Sequence, residues 1–145
     1  MTKLAIASDH GGYALKSALI EAFLQDAIAF EDLGTHDASS CDYPDFAHAM
    51  ARGLEEGKYD CGVLICGTGI GMSIAANRHN HVRAAVVSDT YSAKMARLHN
   101  DANVLCMGER VVGPGLAYDI VRIWLNTTKD PNERHARRVA KINPS

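Results

Sequence analysis

No two of the four cysteines form a C-x-x-C pair, and no histidine stands at zinc-finger spacing from them, which leaves no zinc-finger pattern. A basic stripe is missing too. The 15 Lys and Arg residues are scattered against 17 Asp and Glu, for a net charge of −2, so nothing argues for nucleic acid. Residues 61–77 carry no formal charge, but four glycines, Asn77, Thr68 and Ser73 interrupt them. A membrane span needs about 20 mainly apolar residues, so no membrane segment is expected. The opening MTKLAIASDH has no long apolar h-region and reaches Asp9 quickly; a cytoplasmic protein with reduced thiols is the expectation. Repeats, low-complexity tracts and linkers are also absent. The 145 residues therefore read as one domain, 1–145, with 130–145 as a C-terminal helix and tail.

What is present alternates. LAIAS (4–8), IAFEDLG (28–34), CGVLIC (61–66), RAAVVS (83–88) and NVLCMG (103–108) read as strands. Helical spacing fills 12–26, 46–57, 71–79, 92–100, 114–126 and a short Arg-rich stretch at 131–141. THDASSCDYPD (35–45) reads as loop from its Ser, Asp and Pro content. Cys61 and Cys106 fall inside apolar runs and read as small buried hydrophobes; Cys41 lies in a polar loop. Strands alternating with helices imply a parallel sheet. The expected fold is α/β: a single three-layer domain with five parallel strands in the order 2-1-3-4-5, Rossmann- or flavodoxin-like. Ligands in such sheets bind outside the carboxyl ends of the strands, at the switch between strands one and three. Ser8-Asp9-His10-Gly11-Gly12 and Cys66-Gly67-Thr68-Gly69-Ile70-Gly71 stand at those two ends.

The second of these stretches is the more unusual. A dinucleotide fingerprint needs G-x-G-x-x-G, yet its third glycine falls on Met72 or Ile74. A Walker A loop needs Gly-Lys-Ser/Thr, which does not occur. A cysteine-phosphatase loop needs an Arg six residues after the nucleophile, and that position is Met72. Two readings remain. The glycines permit a tight strand-to-helix turn, or their backbone N–H groups face an anion at a helix N-terminus. Cys66 favours the second, because a thiolate is stabilised at the positive end of a helix dipole. A base beside an oxyanion hole is what enolisation next to a carbonyl needs.

SDHGGYALK at 8–16, DYPDFA at 42–47, CGTGIGMSIAANR at 66–78, HNDANVLCMG at 99–108 and ERHARRV at 133–139 together resemble the type B ribose-5-phosphate isomerases. That family also holds galactose-6-phosphate and allose-6-phosphate isomerases, and the resemblance covers essentially the whole chain. It implies aldose–ketose isomerisation of a phosphosugar through an enediolate, without metal or other cofactor. Carried over, Cys66 is the base that moves a proton between C2 and C1, with Thr68 supporting it. The backbone of Gly67, Gly69, Ile70 and Gly71 cradles the enediolate oxygens. His99, with Asp9 opposite, opens the furanose ring, and Asn100 hydrogen-bonds the reacting oxygens. His10, Arg134 and Arg138, with Arg110, hold the phosphate, and Tyr43 lines the pocket. A homodimer is implied, with a tetramer as the larger assembly.

Taken singly, each residue also has a plainer role. Arg134 and Arg138 are four apart on one helix face and suit either a phosphate dianion or bulk solvent. His99 suits a helix C-terminus, His10 a helix start and Asp9 an N-cap. His36, His48, His79, His81 and His135 read as surface or loop residues. Topology adds that His99 and Asn100 end helix four, near the amino edge of the sheet. Cys66 lies at the carboxyl edge, on the order of ten ångströms or more away. An active site shared between subunits is therefore expected, with His99 and Asn100 supplied in trans. Cys66, Thr68, His99 and Asn100 all occur in one chain, unlike the split galactose-6-phosphate enzymes, which favours a self-sufficient homomer. Rival readings are an isomerase of a six-carbon phosphosugar such as allose 6-phosphate, a non-catalytic phosphosugar-binding domain, and a nucleotide-binding domain.

Overall fold

Five short strands pair side by side in the computed structural model, which describes residues 2–144. The strands are β1 (Leu4–Ser8), β2 (Phe30–Asp32), β3 (Cys61–Cys66), β4 (Ala84–Val86) and β5 (Val104–Gly108). The helices are α1 (Tyr13–Gln25), α2 (Tyr43–Glu55), α3 (Ile70–Ala76), α4 (Thr90–Asn100), α5 (Pro114–Asn126) and α6 (Glu133–Ala140). All strand pairs are parallel, and the α/β layering matches expectation. The order is β2-β1-β3-β5-β4, so the expected 2-1-3-4-5 is corrected at its last two places. Burial explains the exchange. All five residues of β5 are buried, as a strand covered on both faces demands. β4 is three residues long and its Val86 is exposed, which suits an edge.

Alternation along β3 sends its side chains to two cores. Val63 and Ile65 join Leu15, Leu19 and Phe23 of α1, Ala93 of α4, and Ile120 and Trp124 of α5. Leu64 and Cys66 face the opposite side, with Met50 of α2 and Met72 of α3. The Cys66 side chain therefore points toward the α2–α3 layer. α6 is an outer addition. The Asp130 N–H donates to the Leu98 carbonyl at 3.0 Å, and the Asn132 side chain caps the helix by accepting from Arg134 N at 3.0 Å.

Two helix starts differ from the sequence pattern. α2 begins at Tyr43, inside the stretch read as loop, because Pro44 occupies its first turn, where no N–H is needed. A 3-10 turn, His10–Gly12, precedes α1.

Lys16 on α1 is wholly buried. Its Nζ donates to Asp32 Oδ1 at 2.6 Å and to the Thr35 carbonyl, and lies 5.5 Å from the centre of the Tyr13 ring. A buried ammonium persists only with such partners. Asp32 Oδ1 also accepts the Gly34 N–H at 2.9 Å. Ser8 N donates to Gly34 O, and Thr35 N to Ser8 O, both at 2.7 Å. The segment after β2 is thereby strapped to the end of β1, beside Asp9.

Trp124 is fully buried, its Nε1 donates to the Ala102 carbonyl at 3.1 Å, and the Arg97 guanidinium sits 5.3 Å from its ring centre. Trp124→Ala is expected to cost about 3–5 kcal/mol, read as a lowered urea midpoint with the far-ultraviolet spectrum retained before the transition.

Candidate functional site

At the carboxyl edge of the sheet, the ends of β1, β3 and β5 come together. Asp9 is 7% exposed; its N–H donates to Ile65 O at 3.2 Å, and its Oδ1 accepts from Gly11 N at 2.9 Å. Asp9 thus caps the His10–Gly12 turn, as its plainer reading has it. A Cβ on Gly11 would stand 3.3 Å from Gly67 N, so the two glycine stretches are in contact. Past β5, Glu109 N donates to Cys66 O at 2.9 Å and Arg110 N to Gly67 O at 3.2 Å. The Arg110 side chain passes close to Gly67, and the Tyr43 ring lies directly over Gly71.

Cys66 ends β3 and is 5% exposed. Its Sγ accepts the Gly69 N–H at 3.1 Å. The next N–H, of Ile70, donates to Thr68 Oγ1 at 3.2 Å. Within the expected cradle, these two donors are directed to Cys66 and Thr68. Gly69 has φ +82°, and a Cβ there would come within 2.8 Å of the Met107 backbone. Only glycine suits both conditions. Thr68 and Ile70 are exposed on the rim. His10 is exposed as well, and its Nδ1 accepts the Cys41 N–H at 3.2 Å. That bond leaves the proton of a neutral His10 ring on Nε2. Cys41 so gains a part in the site through its backbone.

The remaining sequence candidates stand elsewhere in the chain. α4 starts at the carboxyl edge and runs back about 16 Å over its length, ending at His99 and Asn100. β5 then starts at Val104, opposite Gly62, whereas Cys66 pairs with Gly108 at the other end. Those ends are about 13 Å apart at the usual rise per residue. Arg134 and Arg138 are exposed on α6, which packs on α4. A single chain thus gathers Asp9, His10, Tyr43, Cys66, Gly67, Thr68, Gly69, Ile70, Gly71 and Arg110 at one edge. It leaves His99, Asn100, Arg134 and Arg138 away from them.

Glu109 was not singled out from the sequence. Its Oε1 accepts the Leu15 N–H at 2.7 Å, anchoring the first turn of α1. Its position directly after a strand end was the available signal. Four histidines read as surface or loop residues, His48, His79, His81 and His135, are partly or fully covered. His48 Nδ1 and His79 Nε2 are 2.8 Å apart, and His135 is only 7% exposed, stacked on His99. Burial, reinforced by His48 and His81, holds the His79 pKa below its ordinary value. Cys61 and Cys106 are buried as expected; burial pushes the Cys61 thiol up to about 11 and raises Cys106 as well. Among the described residues, no helix is long and apolar enough to cross a membrane.

Comparison with known proteins places this geometry. The family model described as Ribose/Galactose Isomerase matches residues 4–142. Ribose-5-phosphate isomerase B of Escherichia coli is 43% identical over 98% of this chain and 95% of its own. D-erythrulose-4-phosphate isomerase of Pectobacterium atrosepticum is 41% identical over 87% of this chain and 84% of its own. The solved structure of Clostridium thermocellum ribose-5-phosphate isomerase B superposes with a TM-score of 0.93 at 49% identity, covering 97% of this chain and 94% of that one.

Gly69→Ala must take up a left-handed backbone against Met107, so a loss of about 1–3 kcal/mol is expected in urea unfolding. A second expectation concerns acid. The folded chain resists protonating His79, while an unfolded chain takes up the proton near the ordinary value of 6.5. Stability is then complete above that value and falls as pH drops below it, because the unfolded state binds more protons. His79→Gln should shrink the drop in urea midpoint between about pH 7.5 and about pH 5.5.

Proposed function

Since the chain belongs to the ribose/galactose isomerase family, a family of sugar-phosphate isomerases, we propose that it interconverts ribose 5-phosphate and ribulose 5-phosphate through an enediolate, with Cys66 as the base. The observation that carries this is the Cys66 sulfur, seated at the crevice with the Gly69 N–H directed at it. Cys66 takes the proton from C2 of the open aldose and returns it to C1 of the enediolate. Thr68 supports the thiol. Backbone of the 67–71 loop receives the negative charge that develops on the oxygens.

His99, with Asp9 opposite, opens the furanose ring, and Asn100 hydrogen-bonds the reacting oxygens. Arg134, Arg138, Arg110 and His10 bind the phosphate, and Tyr43 lines the pocket. The reading uses no metal or organic cofactor. It is completed by a second copy of the chain, whose His99, Asn100, Arg134 and Arg138 face the first copy's Cys66. The distance between those groups within one chain supports this. So does the exposed apolar surface of Ile70, Ile74, Val86 and Tyr91, of a kind that marks interaction surfaces.

Cys66→Ala is expected to lower turnover of ribose 5-phosphate by at least about a hundredfold, with Cys66→Ser little better because a hydroxyl is a far poorer acid than a thiol. Full activity in the alanine variant would remove Cys66 from the mechanism. A folded wild type inactive on ribose 5-phosphate would overturn the substrate assignment, and allose 6-phosphate would be assayed next. Mixing inactive Cys66→Ala and His99→Ala chains tests the shared site. Random two-fold dimers restore about a quarter of wild-type activity if each site draws on both chains; no recovery after verified subunit exchange refutes sharing.

A further inference from the structure

Of the two rings stacked between α4 and α6, only His99 has been given a task. We infer that its neighbour His135 is a positioning residue, a buried platform that holds the His99 imidazole in the orientation required to open the sugar ring. The inference rests on the role proposed above for His99. The ring centroids are 4.4 Å apart with planes 11° from parallel, a stacked contact that fixes the plane of an otherwise exposed side chain.

The platform is itself held from behind. Asp130 N donates to Leu98 O at 3.0 Å, one residue before His99. Asp130 Oδ1 accepts from Asn132 N at 2.8 Å, Asn132 Oδ1 from Arg134 N at 3.0 Å, and Asn132 O from His135 N at 3.1 Å. This strap fixes the start of α6 against the end of α4, so His135 cannot drift from His99 without breaking it.

Packing alone does not account for an imidazole here. His135 Nε2 is buried without a hydrogen-bond partner, 3.6 Å from Asp130 Oδ2. A buried unpaired nitrogen is a cost that Leu would avoid. What an imidazole supplies and Leu does not is a flat face of matching size. Burial lowers the His135 pKa, as do His99, Arg134 and Arg138, against the opposing pull of Asp130. That direction favours the neutral ring, which stacks on His99 without charge repulsion.

Ring opening can be separated from proton transfer. Ribulose 5-phosphate has no furanose form, because its C5 oxygen is esterified, so exchange of its C1 proton with deuterated solvent reports the enediolate step alone. Two variants fill the site without a ring nitrogen: His135→Leu removes the flat face and His135→Phe retains one. The expected result is a fall in kcat on ribose 5-phosphate of between about tenfold and a hundredfold in His135→Leu. KM and C1 exchange should stay near wild type, with most of the turnover restored in His135→Phe. Equal loss of turnover and exchange, no loss at all, or no rescue by Phe would overturn the inference. His99→Ala separates it from its premise. If that variant slows turnover and spares exchange while His135→Leu does not, only the platform fails; if it slows both alike, the ring-opening role of His99 fails and the platform with it.

Discussion

Backbone crowding at the carboxyl ends of β1, β3 and β5 is the constraint on which the rest depends. Chain segments meet there so closely that Gly69 lies against the Met107 backbone and Gly11 against Gly67 N. Side chains are excluded from the contact, and main-chain groups take their place: Gly69 N at the Cys66 sulfur, Ile65 O at Asp9 N, Cys66 O at Glu109 N. A buried polar backbone group must find a partner, and here the partners are the neighbouring loops themselves. The thiol is thus aimed by hydrogen bonds that also close the sheet, which makes the position of Cys66 a property of the fold rather than of one flexible loop.

The same geometry explains why the candidate residues fall into two separate sets. A parallel sheet delivers strand ends to one edge and helix ends to the other. Residues after strands, such as Asp9 and Cys66, collect at the carboxyl edge. Residues that end a helix, such as His99 and Asn100, collect opposite. Association of two chains is the economical route for a function that needs both sets, and the exposed Ile70 and Ile74 flank the very loop that would be completed.

Much of this was legible in residue pattern. LAIAS, CGVLIC and the helix at 114–126 appear with the bounds their periodicity gives, because an unbroken apolar run or a 3.6-residue repeat reports burial directly. The exchange of the last two strands was harder. RAAVVS and NVLCMG are both apolar, and order depends on which is covered on two faces. The cue was the polar flanks of the former, Arg83 and Ser88. Tyr43 and Pro44 read as loop because proline signals a break, whereas a first helical turn tolerates it. His135 reads as a surface residue for another reason. Its neighbours Arg134, Arg137 and Arg138 make the helix look solvated, and only the tertiary packing of α6 on α4 covers it. The separation of His99 from Cys66, by contrast, followed from topology alone.

Lys16 and Asp32 bear on how such a sequence can drift. Lys16 is buried, whereas the side chain of its counter-charge Asp32 is 34% exposed, so losing the carboxylate strands an ammonium where its solvation is poor, while losing the lysine leaves an anion that water still reaches. Replacing Asp32 while Lys16 remains is the costly order, and replacing Lys16 first is comparatively open. Through descent a chain that keeps Lys16 should keep an acid at position 32, and the segment strapped beneath it, from Gly34 toward His10's partner Cys41, inherits that one-way dependence.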